Sequence, residues 1–172
     1  HKRLEEKTGL IICEIPTLPP SILGMRLDNA LKERFAELGG AFSIGDTVTG
    51  GEIKNGQLDH IHTKNYGTTR HHSRFYVLST GSFFSGGLIS NFNQLQEPVF
   101  NLTIDGNQKR DTWYSEDFFS QKGHPFLSFG VKTNKIFNPY DSNNKIIKNM
   151  FCAGAILSGY DPVKEGSGGG VA

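Results

Sequence analysis

Met150-Phe151-Cys152-Ala153-Gly154-Ala155 is an apolar run that stops abruptly on small residues. A run this short, closed by glycine, reads as a buried strand that ends in a tight loop. Phe75-Tyr76-Val77-Leu78-Ser79-Thr80-Gly81-Ser82 has the same form upstream. Strands that are apolar on both faces belong to parallel sheets covered on two sides. Open parallel sheets take ligands at the carboxyl ends of their strands, and glycine there lets the backbone approach a flat cofactor closely. Thr80, Gly81, Gly154 and Ala155 are therefore candidate cofactor-placing residues. Further on, Gly166-Ser167-Gly168-Gly169-Gly170 reads as the opening of a helix, whose free N–H groups favour negative charge. These five residues complete the candidate set, and a flavin, which gains charge at one edge of its ring on reduction, suits such a cradle.

The composition agrees with a folded domain. The chain has 172 residues, 36% of them hydrophobic and 13 of them Phe, which argues against disorder. The 18 Lys and Arg against 17 Asp and Glu give a net charge of +1, so no nucleic-acid partner is expected through bulk charge. Residues 75–96 carry no charge, but Gly81, Gly86, Gly87, Asn91 and Asn93 interrupt them, so they do not read as a membrane span. Cys13 and Cys152 each sit in an apolar stretch and read as two buried thiols.

Outward from the two strands, the chain divides into four stretches. Residues 1–24 read as the end of a cap segment and a Pro-rich connection, with Leu10–Ile15 as a buried strand before Pro16, Pro19 and Pro20. Residues 25–82 read as a flavin-domain helix, strand and β-meander. Leu27, Leu31, Phe35 and Leu38 keep helical spacing and Gly39-Gly40 supply the stop. Phe42 and Ile44 then alternate as in a strand, and Asn55-Gly56 marks a hairpin. Residues 83–145 read as an inserted mixed α+β layer rich in aromatics, and 146–172 as the return to the flavin domain. Both ends read as cut, the last one before the body of its final helix. His60, His62, His71 and His72 read as solvated meander loops, with no metal site.

Four pieces carry a family resemblance: Glu14-Ile15-Pro16-Thr17-Leu18-Pro19-Pro20-Ser21, Gly24-Met25-Arg26-Leu27, Leu78-Ser79-Thr80-Gly81, and the closing segment from Ala153-Gly154-Ala155 to Gly170. On these the chain is similar to the two-dinucleotide-fold flavoprotein superfamily. Within it, the chain resembles the B subunits of anaerobic glycerol-3-phosphate dehydrogenases. The resemblance implies an α/β fold: a partial FAD/NAD(P)-binding Rossmann-like domain, parallel sheet with β-meander, plus an inserted mixed α+β substrate or cap layer. It implies oxidation of glycerol 3-phosphate to dihydroxyacetone phosphate through a flavin, FMN or FAD, with electrons passing to quinone. The implied partners are an FAD-containing catalytic subunit and a membrane-anchored iron–sulfur subunit, on the cytoplasmic face of a bacterial inner membrane. No catalytic base is assigned. Ala155 stands where many members of the superfamily carry an acidic residue. The Gly-x-Gly-x-x-Gly loop of such proteins is absent from these residues, so they are not expected to hold a flavin tightly alone. Two other readings remain: a fumarate-reductase-like flavin oxidoreductase, and a non-catalytic assembly subunit that keeps the fold.

Overall fold

The computed structural model describes residues 2–13, 22–91 and 94–165. The chain forms two compact units, residues 1–45 and 46–172. No helix among the described residues is long and apolar enough to cross a membrane.

The first unit holds helices α1 (Lys2–Thr8) and α2 (Ile22–Glu37). α1 stops at Gly9, whose φ of +68° is open to glycine at little cost. Leu10–Cys13 form no strand; Ile11 is 96% exposed, and the Ile12 N–H donates to the Glu5 carboxylate at 3.1 Å rather than to a ladder. The expected strand at Leu10–Ile15 is therefore corrected for its described part; Glu14 and Ile15 lie outside the described residues. Cys13 is exposed for the same reason, so only one of the two thiols is buried. α2 bears the expected stripe of Leu27, Leu31 and Phe35, all exposed, and ends at Gly39 with φ +83°. Its Asp28–Lys32 and Arg34–Glu37 pairs are exposed and contribute a few tenths of a kcal/mol each, on the order of 0.3. The alternation at Phe42 and Ile44 is not a strand: Phe42 packs on Phe35 at 4.6 Å between ring centroids, and Ile44-Gly45 form a turn.

The second unit contains strands β1 (Val48–Lys54), β2 (Gln57–Thr63), β3 (His71–His72), β4 (Tyr76–Leu78), β5 (Ile89–Ser90), β6 (Leu95–Gln96), β7 (Ile104–Asp105), β8 (Gly130–Val131) and β9 (Met150–Cys152), and a four-residue helix, α3 (Pro162–Glu165). β1, β2 and β3 form the antiparallel meander. Asn55 and Gly56 join the first two strands with φ of +52° and +73°, the conformation in which Asn-Gly is favoured. β4 and β9 pair in parallel, Tyr76 with Met150, Val77 with Phe151 and Leu78 with Cys152, as their apolar character implied. Asn149, just before β9, ties this pair to the meander. Its side-chain Oδ1 accepts the Leu58 N–H at 2.8 Å and its Nδ2 donates to the Leu58 carbonyl at 2.9 Å.

Between β4 and β9, the antiparallel pairs β5–β6 and β7–β8 are only two residues deep. Among the described residues of 83–145, the helical part is limited to 3-10 turns at Phe83–Ser85, Arg110–Thr112 and Pro125–Ser128. The α component expected there is thus corrected: aromatics spaced without a 3.6 period, among Gly, Pro and Asn, do not build an α-helix. One apolar cluster joins Leu58 and Leu78 to Leu88, Leu95, Leu102, Phe129, Val131, Ile147, Met150, Cys152 and Ile156. Glu97 is buried beside it and stays satisfied by accepting the N–H groups of Val99 and Phe100 at 2.9 and 2.7 Å.

Candidate functional site

The parallel register of β4 and β9 brings the two glycine motifs to one edge. Beyond the Leu78–Cys152 pair, the Ala153 N–H donates to the Leu78 carbonyl at 3.0 Å. One residue further come Gly154 on that strand and, two past Leu78, Thr80 on the other. Each strand then turns away through a 3-10 turn, Phe83–Ser85 after β4 and Gly154–Ile156 after β9. Gly81 and Gly154 adopt φ of +79° and +76°, so both need glycine for conformation.

These residues fit a flat, hydrogen-bonding cofactor. The Thr80 Oγ1 is buried and has no hydrogen-bond partner, a state that costs roughly 1–3 kcal/mol unless something answers it. Thr80 lines a cavity of about 230 Å³ with the apolar residues Leu58, Ile61, Phe100 and Met150. A Cβ on Gly154 would meet nothing within 4 Å, so its backbone is open to an approaching group. Ala155 follows it in the 3-10 turn and is half-buried. Gly166, Ser167, Gly168, Gly169 and Gly170 lie outside the described residues.

One expectation about this edge is corrected. The apolar run of β4 implies cover on both faces, yet Val77 is 66% exposed while Leu78 is buried. Among the described residues β4 pairs only with β9, so the two strands form a short ribbon rather than a wide covered sheet. Gly87, downstream of Gly81, serves the protein's own backbone. A Cβ there would collide with the Gly81 carbonyl and stand 2.8 Å from the Thr80 carbonyl.

Cys152 lies in β9, 3% exposed, and burial, helped by the charge of Glu97, pushes its thiol up to about 12 from an ordinary value near 9. A raised value keeps the thiol protonated through mildly alkaline pH, where the thiolate is the reactive form. At pH 8 iodoacetamide should therefore modify Cys13 and spare Cys152 until the chain is unfolded. Mass spectrometry of the labelled peptides checks this; fast labelling of both thiols in the folded protein would contradict it.

The histidines form a cluster that sequence reading missed. His60 is 1% exposed rather than solvated. Its Nδ1 donates to Asp59 Oδ2 at 2.8 Å, and its Nε2 lies 3.0 Å from His62 Nε2, so one ring donates and the other accepts. The hydrogen bond from His60 holds the Asp59 carboxyl below the usual carboxylate range, against the opposing effect of burial. His72, opposite His60 in the register, places Nδ1 3.0 Å from the Asp59 carbonyl, to which it donates. The available signal was His60 and His62 at period two beside a hairpin turn, which puts both rings on one face of an extended strand. What no local pattern carried was the register that adds His72.

The same chain matches known proteins over nearly its whole length. A family model described as FAD binding domain matches residues 2–171. The chain is 48% identical over 181 residues to a protein of Aliivibrio fischeri (strain MJ11) named as the B subunit of anaerobic glycerol-3-phosphate dehydrogenase, covering 99% of this chain and 40% of that protein. It is 44% identical over 172 residues to the protein of the same name from Vibrio vulnificus (strain CMCP6), covering 99% and 39%. To that of Yersinia pestis bv. Antiqua (strain Antiqua) it is 38% identical over 168 residues, covering 98% and 39%. The chain thus spans about 40% of the length of the curated relatives it matches. No solved structure matches. The resemblance read from the sequence is borne out, and so is the flavin, with FAD the form in the family's description.

Proposed function

Because this chain belongs to the FAD binding domain family, we propose that it is part of the flavoprotein subunit of an anaerobic glycerol-3-phosphate dehydrogenase. The reaction is oxidation of glycerol 3-phosphate to dihydroxyacetone phosphate, with electrons leaving for an iron–sulfur subunit and quinone. The subunit works with an FAD-containing catalytic subunit, on the cytoplasmic face of a bacterial inner membrane. The observation that carries the reading is the parallel pairing of β4 with β9, which supports a single cofactor edge built from Thr80, Gly81, Gly154 and Ala155. We assign Gly166 to Gly170 to the same site from their sequence alone.

When bound, the flavin supplies a two-electron acceptor for hydride and passes electrons onward. The chain's own residues supply placement. The Thr80 hydroxyl offers a hydrogen bond from a buried position, and Gly81 and Gly154 allow backbone contact without a side chain in the way. Leu58, Phe100 and Met150 give the cavity beside Thr80 an apolar lining. Ser79–Ser82 and Ala153–Leu157 include no Asp, Glu, His, Lys or Cys, so this edge orients the cofactor and does not take the hydroxyl proton of the substrate. That proton goes to a base outside these two segments, for which we propose the catalytic partner subunit.

The test is dye-linked reduction by the assembled complex, with glycerol 3-phosphate as donor. Reduction with glycerol 3-phosphate is expected. A complex that instead couples only to fumarate, or to neither compound, would overturn the assignment.

A further inference from the structure

Glu52, Asp59, His60 and His72 meet on the meander because the strand register sets Glu52 opposite His60, and His60 opposite His72. We propose that Asp59, His60 and His72 bind a divalent transition-metal ion of the zinc class. Each offers one ligand atom, and these atoms all lie within 4.8 Å of one another. Ligands placed tetrahedrally about 2.0–2.2 Å from zinc stand roughly 3.3–3.6 Å apart. The separations straddle that spacing: His60 Nδ1 to Asp59 Oδ2 is 2.8 Å and His72 Nδ1 to Asp59 Oδ1 is 3.8 Å. Around an ion, His60 Nδ1 and His72 Nδ1 give up the hydrogen bonds they donate to the Asp59 carboxylate and carbonyl, and each neutral imidazole carries its proton on Nε2 instead.

The chemistry of the set selects the ion. Two imidazoles and a carboxylate suit zinc, cobalt or nickel better than the oxygen-seeking magnesium and calcium. A metal-binding histidine needs its other ring nitrogen oriented by a partner. His60 has one, since His62 Nε2 lies 3.0 Å from its Nε2 and accepts that N–H once Nδ1 is on the metal. His62 Nδ1 is itself buried without a partner, so the cluster as it stands leaves a ring nitrogen unanswered. Glu52 Oε2, 3.9 Å from His60 Nδ1, is a fourth ligand only after its 2.8 Å ion pair with Lys54 opens; otherwise water takes that position. An entry path exists, because Asp59 and exposed His72 also line an open groove of about 1010 Å³. The ion would staple β3, two residues long, to β2.

The experiment is isothermal titration of full-length, chelator-stripped protein with Zn²⁺, on wild type and on His72→Ala and Asp59→Asn. Both positions are at the accessible side of the cluster, and the unfolding midpoint of each metal-free variant is compared with that of wild type. Saturable binding of one equivalent is expected, lost or weakened at least about tenfold in each variant. Flavin content is measured in parallel and is expected to be unchanged, which separates this site from the cofactor edge. Absence of saturable Zn²⁺ binding, or the same stoichiometry and affinity in a folded variant as in wild type, would overturn the proposal.

Discussion

Gly87→Ala should destabilise the full-length protein by about 3 kcal/mol or more, among the largest effects a single methyl group can have. The added Cβ would overlap the Gly81 carbonyl and crowd the Thr80 carbonyl, and both are main-chain atoms held in place. Gly81 itself is fixed in a left-handed conformation at the end of β4, and the Gly87 N–H donates to the Ser82 carbonyl at 3.0 Å, so neither side of the clash can yield without opening the turn. Gly86→Ala is the matched comparison. Its φ is +79°, but a Cβ there meets nothing within 4 Å, so the cost should be only the backbone penalty of about 1–2 kcal/mol. Urea unfolding midpoints distinguish them. Equal midpoints for the two variants would show that the Thr80–Gly81 turn is not packed on Gly87 as described.

Asn149→Ala should cost about 1–3 kcal/mol. The side chain answers both main-chain groups of Leu58, in part-buried bonds beside the open groove that both residues line. Removing it breaks two hydrogen bonds, each with a net contribution of roughly 0.5–1.5 kcal/mol. The loss is local in origin, because the backbone carbonyl of Asn149 still accepts the Tyr76 N–H at 2.9 Å and keeps the start of the β4–β9 ladder. Hydrogen exchange should therefore show the Leu58 amide losing protection before those of β9. Unchanged protection at Leu58 would contradict the clamp.

What the sequence made legible was what depends on near neighbours. Asn55-Gly56 announced a hairpin because both residues accept positive φ, and Leu27, Leu31 and Phe35 announced α2 through their spacing. β4 and β9 were legible as parallel strands because their apolar runs end on small residues, and that gave Thr80, Gly81, Gly154 and Ala155 a shared edge. Leu10–Cys13 shows the limit: apolar content alone does not make a strand where none of the described residues offers it a ladder. Gly87 shows another, since a glycine required by backbone packing looks in sequence like one required by a cofactor. His60 and His72 are separated by a turn and meet only through register, so their cluster was invisible to local pattern.

A flavin edge at the ends of β4 and β9 in the intact subunit has a simple signature: the visible absorbance of purified full-length protein, with acid release to identify the chromophore. A yellow protein is expected, one that releases FAD and is bleached anaerobically by glycerol 3-phosphate in the assembled complex. A colourless, flavin-free preparation from anaerobically grown cells would contradict the flavin edge and leave the fold without its cofactor.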